Sequence, residues 1–188
     1  MRVISGSFKG RKLASPKGLH IRPTPDKVRG ALFNIIGWAI EDSLFLDLFA
    51  GTGAIGIEAL SRGTYEVVFV DNDNIAIKII KKNLEDLGLH CNHELQTPDY
   101  RLKIIRGDVI EIIRKFKPRQ FDLIFLDPPY KSDLGEKALM EILRYNILKE
   151  SGEIIWEHYY KTKPTGDTAI KLKRTVRYGD TALSFFCY

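Results

Sequence analysis

Two short stretches carry residue types that could do chemistry together. The first is Asp47-Leu48-Phe49-Ala50-Gly51-Thr52-Gly53-Ala54-Ile55-Gly56, where Gly51, Gly53 and Gly56 fall at the spacing G-x-G-x-x-G and Asp71 lies 20 residues after Gly51. Glycines let a backbone turn sharply and come close to a ligand. An acid at that distance can accept both hydroxyls of a ribose. Taken alone, this pattern fits NAD as well as S-adenosylmethionine. Asp47 favours the latter, because a carboxylate there attracts the ammonium of a methionine moiety and repels a pyrophosphate. Asn72 follows the ribose acid, and Asp108 is placed to accept from an adenine amino group. The cofactor candidates are therefore Asp47, Phe49, Ala50, Gly51, Gly53, Asp71, Asn72 and Asp108, with Phe49 either flanking the cofactor or packing in the core.

The second stretch is Asp127-Pro128-Pro129-Tyr130. Two prolines cannot continue a strand ladder or sit inside an ordinary helix, so they fix a rigid loop. The exocyclic amine of a nucleic-acid base is a poor nucleophile, since its lone pair is delocalised into the ring. Two acceptors that each take one N–H favour a pyramidal nitrogen with its lone pair free. The Asp127 carboxylate and the Pro128 carbonyl are suited to that task, proline having a carbonyl to offer and no N–H. Tyr130 can stack on an unstacked base, a contact worth about 1–3 kcal/mol. Asp127, Pro128, Pro129 and Tyr130 are the catalytic candidates.

These residues need elements to hold them, and the apolar periodicity supplies an alternation. Leu44–Leu48, Val67–Val70, Leu102–Ile105, Phe121–Leu126 and Glu153–Trp156 read as strands. Ala54–Ser61, Ile75–Leu87, Val109–Phe116 and Ala138–Leu148 read as helices between and after them. Thr24 as N-cap and Pro25 at the first helical position begin an amphipathic helix running to about Ile40. Asp73 is an N-cap candidate for the helix after the second strand. Ala169–Val176 and Ala182–Cys187 flank the turn Tyr178-Gly179-Asp180 and predict an antiparallel pair. Alternation of this kind means a parallel sheet with helices on both faces. Ligands then bind at the carboxyl ends of the strands, where Asp47, Asp71, Asp108 and Asp127 all fall.

The chain has 188 residues, 44% of them hydrophobic and 28% charged, as expected of one globular domain with a short extension. Residues 1–30 carry eight cations against the single acid Asp26, a net of +7, which leaves −2 on the remainder of a chain whose total is +5. The positive field thus sits on an arm, residues 1–23, which suits a polyanion. Arg11, Lys12, Arg22 and Arg29 are the candidates for phosphate contact. Cys91 and Cys187 form no CxxC spacing, and His90, Cys91 and His93 lack a fourth ligand, so no metal site is expected. No apolar run is long enough to span a bilayer, and the cytoplasm is the expected setting. The segment 89–101 is longer than its connection needs and reads as a surface loop.

With these residues in place, the chain resembles a known family. Asp-Pro-Pro-Tyr beyond an Asp-x-Phe-x-Gly-x-Gly turn resembles class I amino-methyltransferases acting on nucleic acids. Arg2-Val3-Ile4-Ser5-Gly6, Lys9-Gly10-Arg11-Lys12-Leu13, Ile21-Arg22-Pro23-Thr24, Lys27-Val28-Arg29 and Tyr178-Gly179-Asp180-Thr181 resemble RsmD-type 16S rRNA guanine-N2 methyltransferases. The resemblance covers essentially the whole chain. It implies a Rossmann-like α/β fold with a mostly parallel seven-stranded sheet and a C-terminal antiparallel hairpin. It divides the chain into an RNA-binding arm, 1–23, and a methyltransferase domain, 24–188. It further implies S-adenosylmethionine as cofactor and 16S rRNA, in an assembled or partly assembled small subunit, as the partner; a monomer without membrane or metal is expected. Asp-Pro-Pro-Tyr is shared with DNA adenine-N6 enzymes, and a non-catalytic RNA-binding assembly factor is a further alternative.

Overall fold

The computed structural model describes residues 1–15, 24–91, 93–130, 132–164 and 170–188. Arg22 and Ala169, named above, lie outside the described residues. The described strands are β1 (Leu44–Leu48), β2 (Glu66–Asp71), β3 (Glu94–Gln96), β4 (Arg101–Arg106), β5 (Phe121–Leu126), β6 (Leu148–Tyr159), β7 (Lys171–Tyr178) and β8 (Thr181–Cys187). The helices are α1 (Asp26–Ile36), α2 (Ala54–Ser61), α3 (Asn74–Asp86), α4 (Val109–Ile113) and α5 (Leu134–Arg144).

The strands form one sheet in the order β3-β4-β2-β1-β5-β6-β8-β7. The five strands from β4 to β6 in that order pair parallel, while β8 runs antiparallel to both β6 and β7. This is the class I methyltransferase arrangement with its C-terminal hairpin. Among the described residues the sheet has eight strands rather than seven. The extra one, β3, pairs antiparallel with β4 and comes from the segment expected to be only a surface loop. Its three residues alternate too briefly to register as a strand in the sequence.

One hydrophobic core packs α1, α2 and α3 onto a face of the sheet, through residues such as Leu32, Ile57, Ile80 and Phe125. A second packs α4 and α5 onto the opposite face, through Ile113, Leu139, Ile142 and Ile124. With both faces covered, β1 and β5 are buried almost throughout, which explains their continuous apolar runs. Among the described residues, no helix is long and apolar enough to cross a membrane.

Two expectations about α1 need correction. Thr24 does not cap the helix; Pro25 holds the cap position with no side-chain bond, and the Thr24 hydroxyl donates instead to Glu157 at 2.9 Å. The α-helix stops at Ile36, and a single 3-10 turn covers Gly37–Ile40. Asp73, by contrast, caps α3, accepting from the Ile75 N–H at 2.8 Å.

The first fifteen residues dock on the body. Val3 and Leu13 are buried in the first core. Backbone N–H groups of Ile4 and Ser5 donate to the Glu58 carboxylate at 2.8 and 3.0 Å. The Ala14 N–H donates to Asn83 Oδ1 at 2.6 Å. Arg2 and Lys12 form an isolated antiparallel bridge within the segment.

Candidate active site

Strand pairing brings the two chemical stretches together. β1 and β5 lie side by side in register, Asp47 opposite Phe125 and Leu48 opposite Leu126. The loops that leave their carboxyl ends therefore start next to each other, and the Asp127 N–H reaches the Leu48 carbonyl at 3.4 Å. Between them opens a cavity of about 430 Å³. Asp47, Phe49, Ala50 and Gly51 line one side, with Asp71 and Asn72 beside them. Asp127, Pro128, Pro129 and Tyr130 line another.

The glycine turn is shaped by its backbone angles. Phe49, Gly51 and Gly53 all have positive φ, at 61°, 55° and 74°. For Phe49 that conformation costs energy and is held only because the surroundings over-determine it, a feature that collects at functional sites. A Cβ on Gly56 would lie 2.3 Å from the Phe69 ring, so glycine there lets α2 press against β2. Gly53 lies in the turn itself and does not reach the cavity wall.

Carboxylates dominate the electrostatics. Asp47, Asp71, Asp73, Asp127 and Glu157 all line the cavity, and no lysine or arginine stands among its described lining residues. Asp47 is 1% exposed and accepts from the Gly56 N–H at 2.9 Å. Burial pushes its pKa up to about 8, opposed by the Gly56 bond and helped by nearby Asp71. Burial, Glu157 and Asp47, in that order, hold the Asp127 carboxyl well above the usual carboxylate range. Asp71 spends its two oxygens on the backbone N–H groups of Gly51 and Asp73, both at 2.8 Å, and so ties the turn to β2. Such a site suits a cation and rejects a pyrophosphate.

Several residues absent from the sequence reading complete the wall. Tyr130 shares a hydrogen bond with the Thr181 hydroxyl at 2.8 Å and donates to Glu157 Oε1 at 3.2 Å. Burial raises its phenol pKa, so it stays a neutral donor. Glu157, on β6, is 3% exposed and also holds Thr24. One signal was available: Glu157 directly follows the apolar run Ile154-Ile155-Trp156, as Asp127 follows Phe121–Leu126. Thr181 carried no signal beyond its place after the Gly-Asp turn.

The family described as Conserved hypothetical protein 95 matches residues 1–187. YlbH of Bacillus subtilis is 40% identical across 99% of this chain and 98% of its own length. The ribosomal RNA small subunit methyltransferase D of Haemophilus influenzae is 34% identical across 87% of this chain and 81% of its own. This chain belongs to the RsmD-type methyltransferase family. The solved structure of yhhF from Escherichia coli superposes on this RsmD-type chain with a TM-score of 0.83, at 27% identity, covering 99% of this chain and 96% of that one. S-adenosylmethionine is the cofactor. The residues present fit it, because a cavity lined by acids, with no cation among its described lining residues, beside a glycine turn matches a ligand bearing a sulfonium and an ammonium.

Besides Gly53, two candidate residues of the RsmD-type chain fall elsewhere. Asp108 does not line the cavity; its carboxylate caps α4, accepting from the Glu111 N–H at 3.1 Å. Its place at a strand end serves a helix start, which the sequence pattern cannot separate from a ligand contact. Arg29 is not a surface cation for RNA. It is fully buried, 3.0 Å from Asp26 and 3.8 Å from Glu58, and its guanidinium also donates to the Arg2 carbonyl. Arg11 and Lys12 are exposed, and the Arg11 guanidinium bonds the Asp86 carbonyl at the end of α3.

The raised acids make a prediction with a defined sign. Folded Asp47 has a pKa near 8 against an ordinary 3.8, so between those values the native chain holds more protons than the unfolded one. Stability without cofactor should therefore be full at acid pH and fall as pH rises through this window. Binding a cationic donor at pH 7 should release protons from the cavity. Calorimetry in buffers of different ionisation enthalpy reads that release. Asp47→Asn should shrink it, and a heat independent of buffer in the unmodified protein would contradict the assignment.

Proposed function

We propose that this enzyme methylates the exocyclic N2 amine of a guanine in 16S rRNA of the small ribosomal subunit. The observation that carries the reading is the Asp127-Pro128-Pro129-Tyr130 loop lining the same cavity as the glycine turn. The names of its relatives support ribosomal RNA as the substrate; the ribosomal RNA small subunit methyltransferase D proteins of Haemophilus influenzae and Escherichia coli match most of the chain.

S-adenosylmethionine supplies an electrophilic methyl on a sulfonium. Asp47, Phe49, Ala50, Gly51, Asp71 and Asn72 would hold it, with Asp47 facing its ammonium and Asp71 its ribose. The Asp127 carboxylate and the Pro128 carbonyl each accept one N–H of the amine, which frees its lone pair. Tyr130 stacks on the base while its hydroxyl is pinned to Thr181 and Glu157. Positioning supplies most of the rate, because fixing two reactants in line removes the entropy cost of their encounter. The ionised form of Asp127 is favoured by the bound cation beside it, and the amine proton then passes to that carboxylate or to water. Arg11 and Lys12, with Arg22 beside them in sequence, supply phosphate contacts from the arm.

The test is mass mapping of small-subunit RNA from cells lacking this protein. Loss of one methyl, on the N2 of a single guanine, is the expected result. An unaltered RNA with lost N6-methyladenine in DNA would favour the adenine-N6 alternative that shares Asp-Pro-Pro-Tyr.

A further inference from the structure

The end of β6 and the C-terminal hairpin beside it carry features that neither the cofactor cavity nor the arm uses. Aromatic rings run outward from the site in steps. The Tyr130 ring lies 6.5 Å from that of Tyr159, and Tyr159 lies 4.9 Å from Tyr160. The Arg177 guanidinium then sits 3.5 Å above the Tyr160 ring, with the Lys161 ammonium 5.7 Å from it. Tyr159 pairs in register with Thr181, the residue that fixes the Tyr130 hydroxyl. The path is thus continuous with the wall of the site.

Cations accompany the rings. Lys171, Lys173, Arg174 and Arg177 are exposed on β7, the edge strand of the sheet, and Lys161 and Lys163 are exposed just before it. Lys173 is held by Glu153 at 3.0 Å, and Asp180 is the acid of the turn. Lysines and arginines on an edge strand do discourage unwanted strand pairing. That role calls for no rings beside them, and it does not explain why the rings lead to the catalytic loop. Stacking rings interleaved with cations are the two components of a surface that tracks a single strand.

We propose that the end of β6 and the neighbouring edge strand β7 form a second contact surface for single-stranded RNA, with Tyr159 and Tyr160 stacking on nucleotides next to the target base and Arg177 and Lys161 neutralising phosphates. This rests on the reading of the cavity as the site for an RNA base, and it assigns the flanking nucleotides to a face opposite in sequence to the basic arm. A base held at Tyr130 must be pulled from its stack, and rings beyond it replace the stacking lost by its neighbours.

The test measures binding of a fluorescently labelled single-stranded RNA oligonucleotide across a salt series, without donor or turnover. Tyr160→Ala and Arg177→Ala should each weaken binding about tenfold. Tyr160→Phe should bind like the unmodified protein. Arg177→Ala should also reduce the slope of log K against log salt by about one. Lys161→Glu, at an exposed position beside the Tyr160 ring, should weaken binding as well. Binding and salt slope unchanged in these variants would overturn the proposal, as would an unmodified protein that does not bind the oligonucleotide. Unchanged oligonucleotide binding with a raised KM for small-subunit particles would also overturn it, because the surface would then meet protein. Binding that depends on these residues, by a protein that methylates no guanine, would leave this surface standing and sink the catalytic reading alone.

Discussion

Asp127→Ala is expected to lower methyl transfer about a thousandfold, the upper range for deleting one preorganised polar group at a reacting centre, while S-adenosylmethionine affinity changes only severalfold. The carboxylate takes one N–H of the amine, and the Pro128 carbonyl alone cannot hold the nitrogen pyramidal. The glycine turn and Asp71 remain in place, since Asp71 is fixed by Gly51 and Asp73 rather than by Asp127. Removing one of the crowded acids also relieves the repulsion that Glu157 and Asp47 exert there, so the fold should not suffer. Asp127→Asn keeps one acceptor oxygen and should retain an intermediate rate. Single-turnover transfer to immature small subunits, with calorimetry for the cofactor, separates the two quantities. Unchanged turnover in Asp127→Ala would remove the role assigned to the loop.

Arg29→Ala should destabilise the protein by about 3–5 kcal/mol, the cost of breaking a buried ion pair from one side. For a chain of this size each kcal/mol moves the melting temperature by about 2–4 °C, so a fall on the order of 10 °C is expected. The reason lies in what Arg29 joins. Its guanidinium bridges Asp26 at the start of α1, the Arg2 carbonyl in the arm, and Glu58 on α2. Glu58 is fully buried and also receives Ile4, Ser5 and Arg62. Arg62, 2.9 Å from Glu58, keeps that acid from being stranded, which places the cost in the middle of the scale. Thermal unfolding checks it. A normal melting curve with weakened RNA binding would restore Arg29 to the surface role its sequence context suggested.

The Arg29 case shows where sequence reading stops. Periodicity located the core strands and their order of alternation because parallel strands buried on both faces must be apolar, and Leu44–Leu48 and Phe121–Leu126 match β1 and β5 residue for residue. Asp47 and Asp127 were legible for the same reason: an acid ending an apolar run must lie at a strand's carboxyl end, and neighbouring strands bring such ends together. Burial of a cation was not legible, since Arg29 owes it to Glu58 and Arg2, contacts that span the chain. Thr24 looked like a cap because its local context fits one, yet Glu157, 133 residues away, claims its hydroxyl. Asp108 fitted both a ligand role and a cap, and local spacing does not tell them apart. The short β3 and the 3-10 turn at Gly37–Ile40 arise from pairing and backbone angle over a few residues, below the length at which a period can be read.

The most direct measurement is a crystal structure of the protein with S-adenosylhomocysteine and a short guanosine-containing RNA. The guanine N2 should lie within hydrogen-bond distance of both the Asp127 carboxylate and the Pro128 carbonyl, its ring against Tyr130, and the sulfur on the side of Phe49 and Gly51. A base seated away from residues 127–130, or a cofactor outside the acid-lined cavity, would contradict it.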